Sequence, residues 1–509
     1  FIRIRQYRHR RKSSDGKTIR RISRGGLVTI IIPANTLADA AFSVDNSCRF
    51  NDGDSAYMHK TPDSTTNIKK WTLSLWVKLG DMASRECLLW ASSDGGSSDY
   101  VEIQFKADRT LNWQVKGSSG TTPSVLETTR LFRDPSAWYH LVFVWDSDNG
   151  TAGNRQRIYV NGTEETVFNT DTNPSSGDGS VILTSGVEMD LGKQHGTTHY
   201  FDGYMAEVAL CDGQTYAASD FGEFDEDSPT IWKPKDISGL TFGTHGFYLD
   251  FEASDNLGND ANGGTDLTEV NLAAADQATD TPTNNFCTLN PLDNYYDPAT
   301  FSEGNLSITT ETDGRSFKTG TFGISKGKWY WEIFRRNANG HTELGIAGMP
   351  SDAADDHLGK DAFTYAVHSD DGQWFTNDSG SSFVSAHNSG GTYPNHVVSI
   401  ALDLDNNKFY FGINGTWENS GDPTSGATGT GAKAIAAAST TPTGLWFPAV
   451  SDKHNAYNIQ LDMNFGGTSA FGATAVASAN QDGNGYGNFE FAVPSGYYAL
   501  CTKNLAEYG

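Results

Sequence analysis

A few groups of residues have the types and spacing that chemistry could use. Glu223 and Asp225 in "EFDEDS" stand two apart, as on one face of a strand, where paired carboxylates could cleave a sugar bond. The second catalytic acid would fall at position 228, which is Ser228, and the stretch is polar and turn-rich, so it reads as a solvated acidic loop. Asp202 and Glu207 in "FDGYMAEVALCDG" are five apart, hence on opposite faces of a regular strand. They make a poor catalytic pair, and the strand reads as architectural, its acids facing solvent or one rim ion. His195 and His199 in "KQHGTTHY" lie four apart in a loop, where the helical spacing of a zinc site has no meaning. Nucleophile elbow, P-loop, dinucleotide fingerprint and HExxH are all missing. No catalytic residue is expected, and the protein is not expected to be an enzyme.

Binding chemistry has better material. Asp52 and Asp54 in "NDGDS", and Asp146 and Asp148 in "DSDNGT", offer the oxygen-rich loops that suit calcium. No cofactor is expected unless these loops hold calcium; the alternative reading of such acid-rich loops is a solvated turn. His368, Asp370, Asp371 and Trp374 in "HSDDGQWF", with Asn414 and Trp417 in "NGTW", place polar and aromatic groups where they could reach one rim and contact a ligand.

The elements that would hold these residues are strands. Glycine is abundant (54 of 509 residues), aromatics reach 12%, and charged residues only 19%. Short apolar runs alternate with Gly, Asn, Asp, Ser and Thr turns, and helical periodicity is almost absent. "KKWTLSLWVKLG" alternates Trp71, Leu73, Leu75 and Val77 against Thr72, Ser74 and Trp76. "AWYHLVFVWDSDNG" is a nearly continuous apolar run, as for a strand covered on both faces. "GKWYWEIF" puts Trp329, Trp331 and Ile333 on one face and Tyr330, Glu332 and Phe334 on the other. Asn149-Gly150, Asn161-Gly162 and Asn414-Gly415 read as tight hairpin turns rather than glycan acceptors. Residues 422–443, rich in Ala, Gly, Ser and Thr, read as an exposed loop. The fold class is therefore all-β: two antiparallel sandwiches, at residues 36–253 and 296–509, joined by a polar stretch at 254–295 that is a linker or a long ordered connection.

Formal net charge is -25. Ten basic residues and one acid sit in residues 1–24; of 37 basic and 62 acidic residues in all, that leaves 27 against 61. So acidic a body repels nucleic acid and anionic membrane. The basic arm, residues 1–35, has residues 1–27 that read as upstream translation, a tag or a fragment edge. Cys48, Cys87, Cys211, Cys287 and Cys501 lack metal spacing and read as free, mostly buried thiols, which fits folding in a reducing cytosol. No run approaches the roughly 18–20 apolar residues of a membrane span.

The order of motifs carries two resemblances. "WTLSLWVK", "WYHLVFVWD", "RIYVNG" and "FDGYMAEVAL" follow one another as in the laminin-G-like, concanavalin A-like jelly-roll family, over about residues 40–253, with Ala206 where that family often has Asp. "GKWYWEIF", "ELGIAG", "FTYAVHSDDGQWF", "HVVSIALDLDNNKFYFGINGTW" and "LWFPAVS" resemble the SPRY (B30.2-like) sandwich over about 296–466, with Ser399 where Gly is usual; residues 491–509 resemble a C-terminal extension of such units. "FGEFDEDSPTIWKPKDISGLTFGTHGFYLDFEASDNLG" and "DTPTNNFCTLNPLD" resemble a segment recurrent in structural and tail proteins of tailed phages. Together these imply a tail-fibre-like virion protein, folded in the host cytoplasm and then extracellular, that binds a host-surface glycan or protein through its loops and docks to other virion proteins. Homo-oligomerisation is compatible with that role. The rival expectations are a concanavalin-type glycan depolymerase and a structural decoration protein without a ligand.

Overall fold

The computed structural model describes residues 42–509 except 81, 96–97, 118–122, 195, 197–198, 312–314, 338–340, 355, 386–395, 454–457, 469, 472–473 and 477. The basic arm at 1–35 and His195 lie outside the described residues.

Alternation of large apolar side chains builds the first sandwich. In the strand Lys70–Leu79, Trp71, Leu73, Leu75, Val77 and Leu79 turn into the space between two sheets. Trp71 meets Trp113 of the facing sheet at 5.5 Å and stacks beside Trp145 of its neighbour at 6.4 Å. One eight-stranded sheet runs in the order Thr163–Glu164, Gln156–Val160, Trp138–Asp146, Lys70–Leu79, Gly203–Asp212, Ser47–Phe50, Gln277–Ala278, with Phe247–Leu249 also on Gly203–Asp212. The facing eight-stranded sheet runs Phe168–Thr172, Ser124–Leu131, Thr110–Lys116, Tyr100–Phe105, Glu86–Ala91, Met189–Leu191, Tyr57–Lys60, Thr268–Val270. All the pairings are antiparallel.

The strand Trp138–Asp146 is covered on both faces, as its continuous apolar run requires. Leu141, Phe143 and Trp145 join the inner core, while Trp138, Val142 and Val144 join an outer layer with Trp76, Phe221, Trp232 and Tyr248. His140 sits within that outer layer, against Trp76 at 4.7 Å and accepting a hydrogen bond from Trp232 Nε1 at 3.0 Å. Burial drives its pKa down to about 3, so it is a neutral core histidine.

The second sandwich repeats this plan. Trp329, Trp331 and Ile333 of Lys328–Arg335 face inward against Leu344, Ile346 and Val450 of the opposite sheet. A nine-stranded sheet orders Ala299–Ser302, Ser307–Thr310, Gln460–Asn464, Lys328–Arg335, Val397–Asp403, Lys408–Ile413, Thr416–Trp417, with Lys433–Ala434 also on Lys408–Ile413 and Tyr498–Ala499 on Lys328–Arg335. A six-stranded sheet orders Phe317–Thr319, Phe447–Asp452, Thr342–Ala347, Thr364–His368, Gln373–Thr376, Ser379–Ser382. The outer face of Lys328–Arg335 is covered by the chain's end: Tyr330 packs with Phe489, Tyr497 and Ala499, and Tyr498–Ala499 pairs alongside it in parallel. Asn161-Gly162 and Asn414-Gly415 take positive φ at both residues, as a tight hairpin turn demands; Asn149 does not. Residues 422–443 are not simply exposed: Ile435 and Ala438 enter the second core, and Ala436 O accepts from Trp446 Nε1 at 3.1 Å.

Residues 254–295 form an ordered connection. Thr268–Val270 and Gln277–Ala278 add a strand to each sheet of the first sandwich. Lys78 Nζ then donates to Asp280 Oδ2 at 2.6 Å, Asn285 Oδ1 at 2.8 Å and Phe286 O at 2.9 Å, all buried, and Asp280 Oδ1 accepts from Trp138 Nε1 at 3.0 Å. A few residues on, Cys287 N donates to Leu500 O at 2.9 Å, and Thr502 N to Asn285 O at 2.8 Å. The same segment is thus fastened to both sandwiches, which belong to one unit, Pro33–Gly509. All five cysteines are free and buried.

Candidate functional site

The strand Gly203–Asp212 departs from the regular geometry its sequence suggests. Its register against Lys70–Leu79 slips between Ala206 and Ala209, and Glu207 is held at φ +50°. This β-bulge reverses the alternation, so that Met205, Val208 and Leu210 all reach the inner core. Glu207 is set on the outer face, 5% exposed, where it accepts from Tyr248 Oη at 2.7 Å. Burial pushes its pKa up to about 8. Asp202 is 3% exposed. The expectation that these acids face solvent is therefore corrected: both are buried, and the bulge removes the parity argument. Glu223 and Asp225 lie on a hairpin, Gly222–Phe224 with Trp232–Pro234, and both pair with Lys233 Nζ, at 3.4 and 3.5 Å. Asp225 Oδ1 also accepts from the backbone N–H groups of Asp227 and Ser228, so its acids close a turn.

The six expected ligand contacts do not converge. His368 ends the strand Thr364–His368; its Nδ1 lies 2.9 Å from Asp371 Oδ1 and its Nε2 3.2 Å from His341 Nδ1, with Asp370 Oδ2 3.7 Å from the same His341 nitrogen. These four make one polar cluster. Trp374, by contrast, is a core residue, 5% exposed, stacked on Tyr365 at 5.3 Å and tilted against Phe409 at 5.1 Å, because strand pairing turns it inward. Asn414 is spent on its turn: its Oδ1 accepts from Val397 N at 3.0 Å. Trp417 packs edge-on to Tyr330 on the outer face of the other sheet. Of the calcium candidates, Asp146 and Asp148 pair with Lys70 and Lys69 at 3.8 and 3.4 Å, and Asp54 Oδ2 accepts from Asn51 Nδ2 at 2.8 Å. Among the described residues these four do not gather into a three-carboxylate cluster.

A cleft of about 550 Å³ opens where the two sandwiches meet, and it holds Asp52 and Asp202. Met82, Leu292, Tyr295 and Phe301 supply its apolar part. Its walls are fixed by short-range polar contacts. Asn305 Nδ2 donates to Gly80 O at 3.0 Å, Tyr204 Oη to Gly304 O at 3.2 Å, and Arg49 pairs with Glu303 at 2.9 Å. Gly304, at φ +60°, lies so close to the Tyr204 ring that a Cβ there would stand 2.5 Å from it. The Asn294 amide clamps the loop by accepting from Ala299 N and donating to Ala299 O, both at 2.8 Å. That clamp displays Tyr295 at 86% exposure beside Leu292 at 53%. An exposed aromatic face in the same cleft as an exposed carboxylate, Asp52, is chemistry that suits a polyhydroxylated ligand: ring C–H groups lie on the aromatic, and hydroxyls donate to the acid. Sequence reasoning missed this cleft because "PLDNYYD" lies in the stretch taken as connection; two adjacent tyrosines in a polar run were the available signal.

Residues 52–218 match the family model of the concanavalin A-like lectin/glucanases superfamily, and residues 328–467 that of the SPRY domain. Both matches fall inside the two sandwiches. No curated protein matches the chain. Among solved structures, the SPRY domain of human HERC1 is similar at 12% identity, over 34% of this chain and 96% of that one, with a TM-score of 0.27. The native heptameric SAP-like pentraxin from Limulus polyphemus is similar at 14% identity, over 35% of this chain and 80% of that one, with a TM-score of 0.27. Among the described residues, no helix is long and apolar enough to cross a membrane.

Proposed function

We propose that the protein is a non-catalytic adhesin that binds a surface glycan in the cleft between its concanavalin A-like and SPRY domains, as a tail-fibre-like component of a tailed-phage virion. The observation that carries the binding reading is that an exposed Tyr295 and an exposed Asp52 line one hollow. The lectin-like family of the first domain supports a saccharide as the ligand. The virion role rests on the phage-like segments at 221–258 and 280–293. Five free, buried thiols fit folding in the reducing host cytoplasm before exposure outside the cell. A depolymerase would need two carboxyls flanking the sugar bond, roughly 5–10 Å apart; the sequence's best pair, Glu223 and Asp225, is bridged by one ammonium, Lys233.

The test is a bacterial-glycan array probed with the full chain and with Tyr295→Ala. Binding by the wild type, weakened about tenfold or more by the substitution, is expected. Release of reducing sugar from any glycan would overturn the non-catalytic reading. An array silent with the wild type, or equal binding by both proteins, would overturn the cleft and favour a decoration protein or another surface.

A further inference from the structure

Between the strands Thr342–Ala347 and Thr364–His368, a loop brings three carboxylates together. Asp352, Asp356 and Asp361 each place an oxygen within 4.8 Å of the other two. Asp352 is exposed and Asp361 half-buried, so the group opens to solvent on one side. Asp356 forms its floor at 1% exposure, and its Oδ1, itself buried, accepts no hydrogen bond. Oδ2 has a long contact of 3.4 Å with Ser351 Oγ. None of the three carboxylates is ion-paired to a basic side chain within 4.0 Å among the described residues; Lys360 acts on Asp356 only as a nearby charge.

Two other buried carboxylates in this chain, by contrast, have donors on both oxygens. Asp280 has Lys78, Trp138 and a backbone N–H; Glu332 takes two backbone N–H groups, a tyrosine hydroxyl and an amide. A buried oxygen that accepts no hydrogen bond, on a carboxylate grouped with two more acids, is a costly arrangement unless a proton or a cation enters it.

We propose that Asp352, Asp356 and Asp361 form a binding site in the SPRY domain for a hard divalent cation, with Ca²⁺ as the preferred ion. The ligand set is oxygen alone, without imidazole or thiolate, which favours Ca²⁺ over zinc or copper. Three carboxylates from one loop leave room for the carbonyls and waters that complete a flexible coordination shell of about six to eight. The backbone presenting them is already anchored. Asp356 O accepts from Phe317 N at 3.1 Å, and Asp361 O from Asn377 N at 3.1 Å. The adjacent His357 lies 3.1 Å from Glu343, whose cross-strand partner is His368, so the ion would stiffen the loop beside the His341–His368 cluster.

The experiment uses the full chain, stripped with chelator and held above neutral pH. Ca²⁺ is titrated by calorimetry and by thermal melting into wild type, Asp356→Asn and Asp352→Asn. Expected are a rise in melting temperature of the wild type with millimolar Ca²⁺, and affinity weakened in both variants by at least the roughly 10–100-fold that loss of even an outer supporting partner costs. Asp352 is exposed and its variant keeps the fold, so a failure of Asp356→Asn to fold does not remove the test. Absence of Ca²⁺ binding by the wild type overturns the site. So does binding of equal strength in the wild type and Asp352→Asn, which would place the ion elsewhere, as at Asp52, Asp54, Asp146 or Asp148.

Discussion

Glu207 in the first sandwich and Glu332 in the second occupy comparable places. Each sits on the outer face of a central strand, and each is buried under a later segment of chain. Their surroundings differ. Glu207 receives one side-chain hydrogen bond, from Tyr248, and burial carries its pKa to about 8. Glu332 receives the Tyr330 hydroxyl at 2.8 Å, the N–H groups of Glu490 and Phe491 at 2.8 Å each, and Asn464 Nδ2 at 3.3 Å, and its pKa reaches only about 7. Donors offset desolvation, and the carboxylate that gathers more of them doubles as a latch: it holds residues 490–491 onto the sheet. The single-donor acid merely tolerates its burial.

That contrast can be broken at several points. Glu332→Ala strands the Glu490 and Phe491 N–H groups under the C-terminal cover, while Tyr330 keeps Ser399 and Asn464 keeps Asn488 O, and should cost about 2 kcal/mol or more, read by urea unfolding, with faster amide exchange across 486–501. Glu207→Gln should act mainly through pH. An acid whose folded pKa exceeds its unfolded value contributes stability that is present below about 4.5 and lost as pH rises through about 8, by up to a few kcal/mol. The wild type should therefore lose unfolding free energy up to pH 8, and the variant should flatten the alkaline end above about 7, where Glu332 has already titrated. An unchanged slope in Glu207→Gln would show that the Tyr248 hydrogen bond alone settles that carboxylate. The smallest effect belongs to Tyr295→Ala: at 86% exposure its removal should change unfolding free energy by less than about 0.5 kcal/mol. A larger loss would make Tyr295 a part of the junction's packing rather than a surface held out for a ligand.

The strands were legible because period-two alternation of bulky residues admits one reading: "GKWYWEIF" sends Trp329 and Trp331 inward and Tyr330 and Glu332 outward as its spacing requires. Motif order carried the two sandwich types, and the isolated cysteines announced free buried thiols. What was hidden depends on partners far along the chain. The bulge at Glu207 is visible only in hindsight, in the broken apolar spacing of Met205, Val208 and Leu210. Trp374 looked like a rim aromatic because the turn before it is polar, yet pairing with Thr364–His368 turns it inward. The stretch 254–295 left linker and ordered connection open because its residues are polar. Asp280, Asn285 and Asn294 use that polarity to clamp backbone and a buried lysine, which composition alone does not distinguish from solvation. The carboxylates of 352–361 escaped notice for a similar reason: nothing in a run of aspartates tells which one is driven under the surface.

The clamp around Lys78 also has a mechanical consequence. With Asp280 and Asn285 on its ammonium and Cys287 on the strand end at Leu500, the halves share no slack. A pull on either is borne as shear along hydrogen-bonded backbone instead of paying out loose chain. Severing the molecule anywhere between 254 and 280 would take Asp280, Asn285 and Phe286 O away from the Lys78 ammonium together, so neither half is a natural spare part.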